Sequence, residues 1–348
     1  MLIPHSRPHF DERFSQAAQA IILSSHTASG ETTRQLEQAL MQQCGQLDAA
    51  AVDSGTSALM LAIRALQATQ TLPIQRIGIP AYACASLWFA VRAAGCQAIL
   101  MDCGDDLRLN PEQAWQLAPS LDAVVLVHPF GMVEPLVSEA WPCPVIEDIA
   151  QAAGALFQEK PVGSFGAIAI ASFYATKPWG GAYGGMVMGS RAMCDAVRMM
   201  RNPDQAHLDL PYVGHHLLSN LHAALALTRL QYAAWENKAR LQHCRWLDLQ
   251  LPVALQRSIA QRQEGNAFRY IVRMDGCMEG DVTAKIAQLH AVGIGAARPV
   301  QQPLHHPLQP PLEGAEKAWQ SCISLPVLSH LSLDEYEIYA QGVAACFH

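Results

Sequence analysis

The sequence predicts an α/β protein: a three-layer α/β/α arrangement around a mostly parallel sheet, followed by a smaller α+β part. Three observations predict it. Short apolar runs alternate with helix-period segments through the first half of the chain. Several of these runs end in a polar residue, namely Ser54, Asp102, His128 and Asp148, and ligands sit at such strand ends in parallel sheets. From about residue 190 the rhythm changes to long helices with a late strand-like run. We place the division near residue 235, with a large domain over 1–235 and a small C-terminal α+β domain over 236–348.

The bulk numbers bound the class. Of 348 residues, 51% are hydrophobic and only 15% charged, which describes a well-buried globular chain with surface to hide in an oligomer. The net charge of −7 is spread along the chain, and no basic run or basic–aromatic stripe is present. Nucleic acid and membrane surfaces are therefore poor partners. No apolar run approaches the roughly 18 residues a membrane span needs. Met1-Leu-Ile-Pro lacks the basic then apolar pattern of a signal peptide. The 10 cysteines stand singly, without a C-x-x-C pair, and point to a reducing cytoplasm rather than a zinc or redox centre. The 14 histidines have no metal-type spacing, since His215-His216 and His305-His306 are adjacent pairs whose rings diverge. No metal is expected.

Taken in order, residues 10–24 and 31–44 have apolar residues at helical spacing, with a polar loop between them. Ala49–Val52 is a short apolar strand. Ser54-Gly-Thr-Ser-Ala58 then turns it into a helix over 59–68. Such a small-residue turn is an ordinary N-cap or a phosphate site, because free N–H groups and the helix dipole converge there. Gly55, Thr56 and Ser57 are its candidate ligands. Strands over 77–79, 97–101, 123–127 and 144–146 follow, with a helix over 85–94 closed by Gly95. Asp148 and Gln151 lie one helical turn apart after the last of these. A carboxylate there caps a helix or holds a proton on a heterocyclic nitrogen. Beyond the strand at 167–173, Lys177 sits on a glycine-rich loop, Lys177-Pro-Trp-Gly-Gly-Ala-Tyr-Gly-Gly185. A lone lysine is most often a solvated charge. Desolvated on a tight loop, its amine is available for a Schiff base. A helix to about 201, a polar loop over 202–214 and a long helix over 216–250 come next. A strand over 268–272, a helix over 280–292, a proline-rich loop over 299–311 and a capping box at Ser332-Leu-Asp-Glu335 complete the chain.

These pieces, in this order, resemble the DegT/DnrJ/EryC1/StrS sugar aminotransferases, which are fold-type I pyridoxal-phosphate enzymes. The resemblance rests on Gly30-Glu-Thr, Ser54-Gly-Thr-Ser-Ala58 and Val127-His-Pro-Phe-Gly131. It continues through Glu147-Asp-Ile-Ala-Gln151, Val162-Gly-Ser-Phe-Gly166, Ser172-Phe and Tyr183-Gly-Gly185, with Lys177 29 residues after Asp148. It implies pyridoxal 5′-phosphate as cofactor, held as an internal aldimine by Lys177, which also shuttles the proton. Asp148 would pair with the ring nitrogen, and Gln151 would lie near the ring oxygen. Thr56, Ser57, the Gly55 backbone and Ser172 would hold the phosphate. The implied reaction passes through a pyridoxamine form and moves an amino group, commonly from glutamate, to a keto group of a nucleotide-linked sugar. The implied assembly is a homodimer with shared sites.

Three positions depart from the family pattern. Cys84 stands where an aromatic usually stacks on the ring, with Tyr82 or Trp88 as substitutes. His215 falls near the partner-facing asparagine that reaches the phosphate, and Leu217 replaces an arginine. Those departures leave two other readings open, a smaller keto substrate and a non-catalytic binder of the same cofactor. His128, Arg298 and His305 are further candidates to line the substrate pocket, Arg298 for a donor carboxylate.

Overall fold

The computed structural model describes residues 3–71, 73–255, 265–306 and 311–347, so residues 307–310 of the expected proline-rich loop lie outside the described residues. Seven strands form the central sheet: β1 (Asp48–Val52), β2 (Arg76–Pro80), β3 (Gln97–Met101), β4 (Ala123–Val127), β5 (Val145–Asp148), β8 (Ile168–Ser172) and β9 (Gly185–Gly189). A small hairpin of β6 (Leu156–Phe157) and β7 (Lys160–Pro161) separates β5 from β8. The sheet order is β1-β9-β8-β5-β4-β2-β3. Strand β9 runs antiparallel to both its neighbours, and the other pairings are parallel. The sequence pattern did not show β9, a five-residue run closed by glycine at each end.

Strand alternation gives each face its own core. Ala50, Val52, Ile168, Ile170 and Val187 face one way, onto the helices α3 (Gly55–Thr69) and α6 (Arg191–Met200). Ala49, Ala51, Ala169, Ala171, Met186 and Met188 face the other, onto α2 (Glu31–Cys44) and the start of α7 (Asn220–Gln250). Helices α1 (Glu12–Leu23), α4 (Ser86–Ala93) and α5 (Pro111–Leu117) complete the wrapping. The last of these was not expected, although Asn110 caps it and Pro111 opens it.

Helix α7 begins at Asn220 rather than 216, because Ser219 is its cap, accepting from the His222 N–H at 3.3 Å. Its 31 residues extend about 46 Å. Its far end packs Cys244 and Leu247 into a third core with Tyr270, Ile323 and Tyr339. That core joins β10 (Tyr270–Arg273) and β11 (Cys322–Leu325), an antiparallel pair, to α8 (Glu279–Ala291) and α10 (Leu333–Phe347). The capping box of α10 is present: the Ser332 N–H donates to Glu335 at 2.8 Å, and the Glu335 N–H donates to Ser332 Oγ at 3.2 Å. Asp102 ends β3 by accepting from the Gly314 and Ala315 N–H groups at 2.8 and 2.7 Å, which ties down α9 (Glu313–Ser321).

His128 is fully buried. Its Nδ1 accepts from the Glu134 N–H at 2.9 Å, so Nε2 carries the proton and donates to Glu147 at 3.0 Å. Glu147 also accepts from the N–H groups of Gly163, Phe165 and Gly166 at 2.6, 3.0 and 3.0 Å. Burial pushes the Glu147 carboxyl up, and these donors, His128 first, more than reverse that and hold it low. The ring expected to line a pocket instead helps anchor the 163–166 loop to the sheet through Glu147. Glu147→Gln is expected to lower stability in urea by roughly 1–3 kcal/mol, since four donors lose a charged acceptor. An unchanged denaturation midpoint would contradict this role.

Candidate active site

A cavity of about 320 Å³ lies at the carboxyl edge of the sheet. Register explains its first wall. Gly185 pairs with both Val52 and Ser172, so the ends of β1, β9 and β8 lie side by side. Packing there is close. A Cβ on Gly185 would stand 2.4 Å from the Ser54 carbonyl, and one on Gly55 would stand 2.8 Å from Ser172 Cβ. The N-terminus of α3 and the Ser172 hydroxyl therefore share one rim. Ser54 Oγ accepts from the Ser57 N–H at 3.1 Å, and Ser54 O accepts from Ala58 at 2.9 Å. The N–H groups of Gly55 and Thr56 have no acceptor among the described residues. Both residues line the cavity, as do Ser54 and Ser172. Ser57 does not line the cavity, and its hydroxyl lies 2.9 Å from Ser54 Oγ.

The second wall comes from β5 and the turn after it. Asp148 lines the cavity, buried, with Oδ1 accepting from the Ala150 N–H at 2.9 Å. Burial pushes its carboxyl up, against that hydrogen bond and the Lys177 charge. Gln151 Oε1 accepts from the Phe130 N–H at 2.7 Å. Its amide nitrogen has no partner among the described residues, and Gln151 lines the cavity too.

Lys177 enters from the loop between β8 and β9. Its N–H donates to the Tyr174 carbonyl at 2.8 Å, and Nζ lies 5.1 Å from the centroid of the Phe268 ring. Burial pushes the amine below the ordinary lysine range, while Asp148 pulls it back. Cys84 is exposed and lines the cavity, with Leu59, Leu87 and Val127 as apolar neighbours. Neither expected substitute for a stacking aromatic is there. Tyr82 is buried with its hydroxyl 3.4 Å from the Ala318 carbonyl, and Trp88 packs against the core. Tyr174 and Tyr183 do line the cavity, edge to face at 5.6 Å. Both flank Lys177 in sequence, which is a signal that was available.

Other expected residues stand elsewhere. His215 is exposed and contributes nothing to this chain's cavity. Its neighbour His216 is engaged, with Nδ1 3.1 Å from Asp53 and Nε2 2.7 Å from the Tyr212 hydroxyl. Arg298 lies 4.5 Å over the Trp319 ring and donates to the Trp319 and Glu279 carbonyls and the Thr283 hydroxyl. Its guanidinium holds α8 to α9 and does not line the cavity, where a donor-carboxylate role was expected. His305 is buried outside the cavity. Its Nε2 and that of His306 lie 3.2 and 2.7 Å from the same Glu316 oxygen. These three side chains bring their ligand atoms within 4.8 Å of one another.

With a depressed amine, Lys177 is expected to react with a small acylating reagent at lower pH than an exposed lysine. Asp148→Asn removes the charge that raises it, so the midpoint should fall further. A wild-type midpoint at or above that of a surface lysine would contradict the burial of this amine.

The model of the DegT/DnrJ/EryC1/StrS aminotransferase family matches residues 8–343. GDP-perosamine synthase of Caulobacter vibrioides is 27% identical over 330 residues, covering 87% of this chain and 86% of its own. The UDP-N-acetyl-3-dehydro-α-D-glucosamine 3-aminotransferase of Acidithiobacillus ferrooxidans is 27% identical over 345 residues, covering 92% and 89%. Among solved structures, the aminotransferase TlmJ of Streptoalloteichus hindustanus superposes with a TM-score of 0.88 at 21% identity, over 99% of this chain and 98% of that one. Helicobacter pylori PseC, an aminotransferase of pseudoaminic acid biosynthesis, gives 0.85 at 20% identity, over 100% and 99%. At that identity the structures establish the fold, and the family model establishes the family. The chain belongs to the DegT/DnrJ/EryC1/StrS aminotransferase family.

Proposed function

We propose that this chain is a pyridoxal-phosphate aminotransferase that moves an amino group from glutamate to a keto group on a nucleotide-linked sugar. One observation carries the proposal. A desolvated lysine amine and a buried carboxylate line the same cavity as a helix N-terminus with two unpartnered N–H groups. The names of both curated relatives, GDP-perosamine synthase and a UDP-linked 3-aminotransferase, support the acceptor class.

The residues fit the cofactor. The Gly55 and Thr56 N–H groups, with the Thr56 and Ser172 hydroxyls, suit a phosphate, and glycine at 55 lets Ser172 sit close against the α3 N-terminus. Asp148, with its charge buried, suits a protonated ring nitrogen, and the Gln151 amide suits the ring oxygen. Bound there, the cofactor supplies an electron sink for the carbon that loses its proton. Lys177 takes and returns that proton, a task that needs the neutral amine its burial favours. Cys84, which lines the cavity, is too small to stack on a ring.

The working unit is a homodimer in which the exposed His215 serves the partner's cavity. The product feeds polysaccharide assembly, and cysteines that form no disulfide among the described residues suit the cytoplasm. Among the described residues no helix is long and apolar enough to cross a membrane. The division into two domains falls near residue 235, inside α7, between the sheet cores and the C-terminal core.

The test is turnover with glutamate against nucleotide-linked keto-sugars and the same keto compounds without the nucleotide. The nucleotide-linked acceptors are expected to turn over, and Lys177→Ala is expected to lose about a thousandfold or more. Faster turnover of the free keto compounds would replace the acceptor class. Cofactor binding without transfer to any of them would overturn the enzymatic reading.

A further inference from the structure

Lys177 also lines a second cavity, whose walls share no other residue with the first. Its volume is about 40 Å³, and its other walls include Arg229, Glu236, Arg240, Phe268 and Arg269. The charges there do not balance. Arg229 forms an ion pair with Glu236, and the same carboxylate lies 3.7 Å from Arg240 Nη1. Arg7, also in the wall, is taken by Glu335 at 2.6 Å. Arg240 is nine-tenths buried; its Nη2 donates to Asn237 Oδ1, and its Nε has no hydrogen-bond partner among the described residues. Among the described residues the Arg269 guanidinium hydrogen-bonds only to the His5 carbonyl, at 3.4 Å, and no carboxylate lies within ion-pair distance of it. Burial, then the charge on Arg240, pushes Arg269 down to about 10. The Phe268 ring links this group to the reactive amine, with its centroid 4.3 Å from the Arg269 guanidinium and 5.1 Å from Lys177 Nζ.

Unbalanced cations in a small cavity call for an anion, because a buried charge without a partner is costly. A guanidinium fork matches the two oxygens of a carboxylate. At about 40 Å³ the cavity suits a group the size of a carboxylate head. We infer that Arg240 and Arg269 form the subsite that binds a carboxylate of the amino donor, beside Lys177. The inference rests on the aminotransferase reading, and it moves the donor-carboxylate role from Arg298, which is engaged elsewhere, to α7 and the start of β10.

The probe is glutarate, a dicarboxylate with no amino group to react. Calorimetric titration of the cofactor-loaded wild type is expected to show saturable binding that an equal ionic strength of chloride does not reproduce. Arg269→Gln is expected to weaken it about tenfold or more, with Arg269→Lys recovering part of the loss. Glutamate kinetics of Arg269→Gln should show a larger change in KM than in kcat. Absence of glutarate binding to the wild type, equal competition by chloride, or full binding by Arg269→Gln would each overturn the inference. The aminotransferase reading has its own arm: wild type loaded with pyridoxamine phosphate must aminate a nucleotide-linked keto-sugar in a single turnover, whatever glutarate does.

Discussion

The site depends on one register. Gly185 pairs with Ser172 on one side and Val52 on the other, in a sheet where β9 alone runs backwards. An antiparallel return confines residues 173–184 to a loop over the sheet edge, and Lys177 lies within it. The same register sets the α3 N-terminus against Ser172. It holds only because neither Gly55 nor Gly185 has a side chain, since a Cβ on either would enter occupied space.

Strand alternation divides the labour between two adjacent carboxylates. Glu147 faces His128 and three backbone donors, and its charge stiffens the scaffold. Asp148, one residue on, opens into the cavity and faces the charge of Lys177. Burial acts on this pair in opposite senses, raising the acid and lowering the amine, so each group depends on the other. A lysine tuned by desolvation and a nearby carboxylate is the physical basis for proton transfer at a substrate carbon.

Much of this was legible in the sequence, because strand ends and helix starts carry local signals. Gly55 and Thr56 follow a short apolar strand, Asp148 ends another, and Lys177 sits before glycines. All four line one cavity. What escaped is what depends on distant partners. Nothing local in 185–189 shows that it pairs antiparallel with β1 and β8. His128, Arg298 and His305 stand at strand ends or on loops, as binding residues do. Their partners Glu147, Trp319 and Glu316 are 11 to 21 residues away and reach them only through the fold. Arg229, Glu236 and Arg240 share one stripe of α7, a spacing easily read as a solvated face until Arg269 arrives from another element.

The central claim is that the β8–β9 loop presents one lysine to the cofactor. The direct measurement is borohydride reduction of the protein incubated with pyridoxal phosphate, followed by digestion and peptide mass mapping. Modification confined to Lys177 is the expected result. Label on Lys160, Lys238, Lys285 or Lys317 instead, or no stable label at all, would contradict the site.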